Sequence, residues 1–370
     1  MKRRDGSYLN SGTVYRFIFA LILFAIYFAG RAILRADVGL CDKYCEMTRA
    51  VTLILSGALS YVKFTAAEYL LYILIAVVII YVLIMIFRMC TAGHVWARIM
   101  RVLSNAAVLY AALLVLFYAL YGPAYSTSPI AEKLDIETTS VSDVYKLRRL
   151  TEYMRDRANE YAELVPRDLS GACKFGSFDT MSALTVRSFE NAQLHYNIIS
   201  GPFAPVKKTK SEGLLSRFGL TGIFVPYTGE SIVNAQAPDQ SMPFTMAHEM
   251  SHRLSIAREN EANFMAFLVC RASTDRRANY SGYFTAYRYC ISALSAADSS
   301  AAGEVMTGVS SYLSRDLAQY KDFSLSCSGF WSDVGEKVNN LYLKGQGQES
   351  GTASYGEMVD LLLAEYDGKL

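Results

Sequence analysis

Three long apolar runs in the first 121 residues, at 14–34, 67–87 and 102–121, limit what this chain can fold into more than any other feature. About 20 apolar residues at 1.5 Å rise each cover a ~30 Å hydrocarbon core, and a single segment inside lipid satisfies its backbone only as a helix. The three runs are therefore read as transmembrane helices. The first follows Lys2, Arg3 and Arg4 and carries Arg16 and Arg31 near its ends, where long side chains reach the interface. Arg31 and Arg35 stand where a small-residue cleavage site belongs, so the segment reads as a retained signal anchor. Ser104 and Asn105 make the third run weaker than the second. Residues 50–62 are apolar but too short to span, and are expected to be interfacial or re-entrant.

Three crossings place the N-terminus and the 88–101 loop in the cytoplasm and residues 122–370 outside. The basic residues of both cytoplasmic stretches agree, whereas Arg35, Lys43, Arg49 and Lys63 in the first outer loop do not. The expectation is a multi-pass cell-membrane protein in the lipid bilayer. A membrane domain, 1–121, is followed after a break near Gly122-Pro123 by an extracytoplasmic domain, 122–370. A net charge of +2, without clusters of Lys/Arg interleaved with aromatics, argues against a nucleic-acid partner. Six of the seven cysteines (Cys41, Cys45, Cys173, Cys270, Cys290, Cys327) fall outside and Cys90 inside, which permits disulfides without requiring them.

The second half has mixed, globular composition. Amphipathic patterns at 142–164 and 181–196 predict helices, as do 283–297, 305–317 and 356–366, with a Gly-rich turn at 345–351. Residues 220–236 place β-branched and aromatic residues around Thr228-Gly229, which reads as a β-hairpin or two short strands.

Immediately downstream, Ser241 as N-cap and Pro243 in the first turn predict a helix through His252. His248 and His252, four residues apart, share one face and can bind one metal ion; Glu249, about 100° round, can act on a water there. This is an HExxH string, which residue frequencies place by chance in roughly one chain in a hundred of this length. Its setting adds weight, because these are two of only four histidines and they lie on a capped helix between strand-like sequence and acidic residues. Catalytic zinc takes three protein ligands, and Glu259 or Glu261 is the nearest third. Glu259 is favoured because Ala262, Asn263, Ala266 and Cys270 on its face allow close packing on the metal helix. Glu261, the alternative, heads a bulkier stripe of Phe264, Met265 and Leu268. Asn263, one turn beyond Glu259, is placed to hold a ligand histidine. Residues 232–235 are a candidate edge for an extended substrate, with Asn234 a candidate contact, although a buried strand fits the pattern as well. Tyr280, Tyr283 and Tyr287, or His195, are candidate oxyanion donors, against the commoner reading of core or surface residues.

Glu259 and Asn263 after the HExxH string resemble the gluzincin peptidases, in which a glutamate on a following helix completes the site and an acidic or amide residue four positions on supports it. Over nearly its full length the chain also resembles an uncharacterised family of bacterial membrane proteins with a few N-terminal helices and an HExxH domain. PYTGESIVN (226–234), AHEMSH (247–252), ARENEANF (257–264) and NNLYLKGQGQ from Asn339 carry that resemblance. It implies an α-helical membrane anchor plus a mainly helical α+β zincin-like metallopeptidase domain, with one Zn2+ and a peptide or protein substrate. The expected reaction is peptide hydrolysis with Glu249 as general base. The rivals are a catalytically inactive zinc-binding receptor or signalling protein and a pore or transporter. The second is disfavoured because charge within the spans is confined to edge positions such as Arg31 and Glu68.

Overall fold

The computed structural model describes residues 10–92, 95–137, 143–348 and 357–370. The Lys2-Arg3-Arg4 cluster, residues 349–351 of the Gly-rich turn and the first residues of the 142–164 and 356–366 helices lie outside them.

Helix α1 (Ser11–Ala36) starts where the Asn10 side chain accepts from the Thr13 N–H. It ends at Asp37, whose extended backbone turns the chain and whose carboxylate caps α2 (Val38–Ser60). Helices α3 (Ala66–Ala92) and α4 (Val95–Leu120) follow. α1, α3 and α4 are long and apolar enough to cross a membrane, which marks the chain as membrane-associated. α4 begins seven residues before the apolar run that predicted it, at Val95 rather than 102. α1 and α4 pack together, with Tyr27 edge-on to Tyr118 at 5.3 Å between centroids.

Residues 50–60 form the second half of α2, a 23-residue helix lying on the globular body, and α2 is not among the helices long and apolar enough to cross a membrane. Its buried face is Cys41, Cys45, Thr48, Thr52, Leu53 and Ser56, and it meets α9 and β3. Small polar residues on the packed face hide such a helix from a search by hydropathy.

After a 3₁₀ turn at Gly122–Ser126 and the short α5 (Ile130–Lys133), the body is built from α6 (Val144–Leu164), α7 (Phe178–Ala192), β1 (Lys207–Lys208), α8 (Glu212–Arg217), β2 (Gly222–Val225) and β3 (Glu230–Val233). It continues through α9 (Met242–Arg253), α10 (Glu259–Ala272), α11 (Arg276–Ala297), α12 (Ser299–Thr307), α13 (Ser311–Cys327), α14 (Phe330–Gln346) and α15 (Met358–Glu365). The fold is mainly helical with one small sheet. α10 is buried on every side from Glu261 to Cys270 and forms the axis of the core, wrapped by α7, α9, α11 and α15. Phe264, Phe267 and Phe284 are fully buried there, each worth about 1.5–3 kcal/mol relative to exposure.

The predicted hairpin is present: β2 and β3 are antiparallel about a turn at Thr228-Gly229, and β1 adds in parallel, giving the order β1-β3-β2. Gly229 has φ +67°, and a Cβ there would stand 2.7 Å from the Thr52 carbonyl of α2. Both backbone and space require glycine. Because β3 is paired on both sides, residues 232–233 offer no free edge, which corrects the substrate-edge reading; the edges of the sheet are β2 and the two-residue β1. Ser241 is not a side-chain N-cap either. Its hydroxyl bonds the Pro238 carbonyl, and the first turn of α9 is served by Pro243, which has no N–H, and by Ser281 Oγ, which accepts from the Phe244 N–H at 2.9 Å. All seven cysteines are free thiols.

Candidate metal centre

α9 carries His248 and His252 one turn apart, their Nε2 atoms 3.2 Å from each other. The chain leaves α9 at Leu254, reverses through Ser255 in left-handed backbone (φ +60°), and re-enters a helix with Arg258 extended at the N-cap. That reversal places Glu259, first residue of α10, over the two imidazoles. Its Oε2 is 3.2 Å from His248 Nε2 and 3.9 Å from His252 Nε2. All three side chains are buried, and their ligand atoms lie within 4.8 Å of one another. Donors 2.0–2.2 Å from a tetrahedral zinc stand roughly 3.3–3.5 Å apart, so the spacing and the donor set fit such an ion.

Glu261 faces elsewhere. Its Oε1 accepts from the Ile130 N–H at 3.0 Å and from Arg258, tying α10 to the start of α5. Burial raises its carboxyl, against the pull of Arg258.

The imidazoles differ in state. Burial pushes His252 down to about 4, so it is neutral, and its Nδ1 lies 2.8 Å from the Ile256 carbonyl and 3.0 Å from the Tyr121 hydroxyl. Donation from Nδ1 to that carbonyl turns the Nε2 lone pair towards Glu259 and His248. For His248 burial opposes charge, but the Glu259 carboxylate outweighs it and holds the ring above the ordinary imidazole range. The Asn263 amide hydrogen-bonds both His248 and Tyr289.

Glu249 lies beside the cluster, in a cleft of about 380 Å³ shared with Gly222, Phe244, His248, Arg288 and Tyr289. Burial pushes its carboxyl up to about 8, His248 drawing it down and Glu259 adding to the rise. Gly222 of β2 makes this possible, since a Cβ there would stand 2.5 Å from Glu249 Oε1.

Other expected site residues lie apart from the cleft. Asn234 is fully buried, donates to Ser216 Oγ at 2.7 Å and accepts from the Gln236 N–H at 3.1 Å, closing the end of β3. Tyr280 bonds Asp316, Tyr283 stacks on Tyr161 and Tyr287 is buried in the core. The α11 residues that do reach the cleft are Thr285, Arg288 and Tyr289, on the neighbouring face. His195 is exposed beside Tyr196. Sequence reasoning misses Thr285, Arg288, Tyr289 and Gly222, and it misses Tyr121 too: placed at the end of a span, Tyr121 lies against His252 through contact across 131 positions.

Comparison with curated proteins gives no match, and comparison with solved structures gives none. The family model described as Protein of unknown function (DUF3810) matches residues 45–363, from the middle of α2 to α15, and the chain belongs to that family.

Proposed function

We propose that this protein is a membrane-bound zinc metallopeptidase whose ion is held by His248, His252 and Glu259, with the globular body on the extracytoplasmic side. The observation that carries the reading is the convergence of two neutral-capable imidazole nitrogens and a carboxylate oxygen within 4.8 Å, in a buried position that opens on a cleft containing Glu249. Zinc there would supply an acidified water and an electrophile for a carbonyl oxygen. The protein's own groups account for the rest. Glu249, lining the cleft beside His248, is placed to act as general base on that water, and its burial raises its proton affinity. Ile256 and Tyr121 orient His252, and Asn263 orients His248. The free edge of β2, running past Gly222 beside Glu249, can pair with an extended peptide backbone. Arg288 and Tyr289 on the facing wall can donate to a developing oxyanion.

The test is zinc content and peptide hydrolysis on the full-length protein in detergent. Wild type is expected to hold one zinc, lost in His248→Ala and Glu259→Ala but kept in Glu261→Ala. Glu249→Gln should keep the zinc and lose about 10²–10⁴-fold in turnover. Unchanged turnover in Glu249→Gln, or no zinc in folded wild type, overturns the reading. Zinc without turnover in wild type leaves the inactive receptor.

A further inference from the structure

α14 is a 17-residue helix with only one buried residue, Leu343. At 100° per residue its sequence divides into three faces. Ser332, Gly335, Glu336 and Asn339 line the candidate cleft. Asp333, Lys337 and Lys344 form a charged face. Phe330, Val338, Leu341, Trp331 and Tyr342 fill the remaining arc of about 120°, and all five are exposed, Phe330 and Leu341 at 71%. An apolar arc of that width on an outer helix marks a contact surface.

Its surroundings say with what. At its C-terminal end the carbonyls of Gly345 and Gln346 accept from Arg31 and Arg35, both at the end of span α1, at 2.6 and 2.9 Å. Tyr342 packs on Phe117 of span α4, 6.0 Å between centroids. The N-terminal end rests on Phe218: Trp331 packs on that ring at 5.8 Å, and the missing side chain of Gly335 admits the Phe218 carbonyl. Phe218 follows α8, and the residues just before α8 are fastened to the start of span α3: Lys210 Nζ donates to Tyr69 Oη at 2.7 Å, and Ser211 meets Tyr72. Both ends of α14 are thereby tied to the same ends of the spans.

We propose that α14 lies on the bilayer surface, with Phe330, Trp331, Val338 and Leu341 in the lipid interface and Lys337 and Lys344 beside the headgroups. Phe, Trp and Leu on one side with flanking lysines is the composition that seats a helix in that plane, and Trp and Tyr favour that depth. One helix diameter, about 10 Å, then separates lipid from the candidate cleft. Under the metallopeptidase reading, the substrates are peptide segments that leave the same membrane close to its surface; the lipid contact itself does not depend on that reading.

The test uses the two tryptophans of the chain, Trp96 and Trp331. In full-length Trp96→Phe protein, reconstituted in phosphatidylcholine/phosphatidylglycerol vesicles, Trp331 is the sole tryptophan. Its emission is expected to fall about twofold or more when the phosphatidylcholine is brominated close to the headgroup, and to resist aqueous iodide. A second probe, Leu341→Trp with both native tryptophans replaced by Phe, should behave alike and guards against a local effect at position 331. Emission quenched by iodide but not by bromolipid puts the face in water and overturns the proposal. Protection from both quenchers means a second copy covers the face, and overturns it too.

Discussion

Gly222 has no side chain, and the Glu249 carboxylate stands where one would be. A Cβ at 222 would meet Oε1, Cγ and Cδ of Glu249 at 2.5, 2.7 and 2.8 Å. These atoms end a flexible side chain, so in Gly222→Ala the carboxylate shifts while the sheet stays. Misplacing a catalytic group by about 1 Å costs on the order of 10²-fold. If the proposed peptidase reading holds, Gly222→Ala is therefore expected to keep one zinc and lose about 10²-fold in peptide turnover, measured as kcat beside metal content. Wild-type turnover in this variant would detach Glu249 from the chemistry or from Gly222. The residues of the centre were legible in proportion to how local they are. His248, Glu249 and His252 follow from spacing along one helix. Glu259 could be preferred to Glu261 from the small residues on its helix face, but the reversal at Ser255 and the Arg258 and Ile130 contacts that occupy Glu261 have no local signal. Tyr121 and Gly222 touch the site only through tertiary contact, and no pattern in the chain marks them.

Among elements, α2 changes the account of what folds together. Leu53 belongs to the main core, Ser255 Oγ donates to the Cys45 carbonyl, and Asp42 accepts from Lys133 and Ser128. A fragment starting at 122 lacks this helix and uncovers the surfaces of β3 and α9 that it covers. Such a fragment is expected to aggregate on size-exclusion chromatography, and Leu53→Ala in the full chain to cost about 2–3 kcal/mol in denaturant unfolding. A monodisperse, cooperatively melting 122–370 fragment would show that α2 is dispensable. Helices such as α6 and α11 were readable because an apolar face repeats with the helical period. α2 was not, since its packed face apart from Leu53 is Cys, Thr and Ser, and Asp42, Lys43, Glu46 and Arg49 make its first half polar. The hairpin was readable from its turn, whereas the order β1-β3-β2, which makes β3 the internal strand, depends on a two-residue strand with no sequence signal.

For the molecule as a whole, the question is how firmly the body is seated on its spans, and Glu230 is where this can be measured. It lies in β3, almost fully buried, and its carboxylate accepts from the Ala66 and Ala67 N–H groups at 3.0 and 2.7 Å, capping the first turn of α3. Lys207 of β1 donates to it at 2.7 Å and to the Phe64 carbonyl at 2.8 Å. One carboxylate thus joins sheet, loop and the positive end of the apolar helix α3. Removing one partner of a buried ion pair costs ~3–5 kcal/mol, since the other charge stays buried. Glu230→Gln keeps the shape and one acceptor oxygen but loses the charge that balances Lys207. Amide hydrogen exchange of the full-length protein in detergent should then quicken about a hundredfold at Ala66, Ala67 and the β1–β3 pairing, equivalent to ~3 kcal/mol at 1.36 kcal/mol per decade. If α9 and α10 quicken equally, the body and the N-terminal helices open as one cooperative unit, and the candidate centre shares the stability of that junction. If only the junction quickens, the centre is stable without it. Unchanged exchange at Ala66 and Ala67 would mean that the Glu230 carboxylate does not hold α3, leaving that role to Glu68, which accepts from Thr209, Lys210 and Ser211, beside the Arg31 and Arg35 contacts with Gly345 and Gln346.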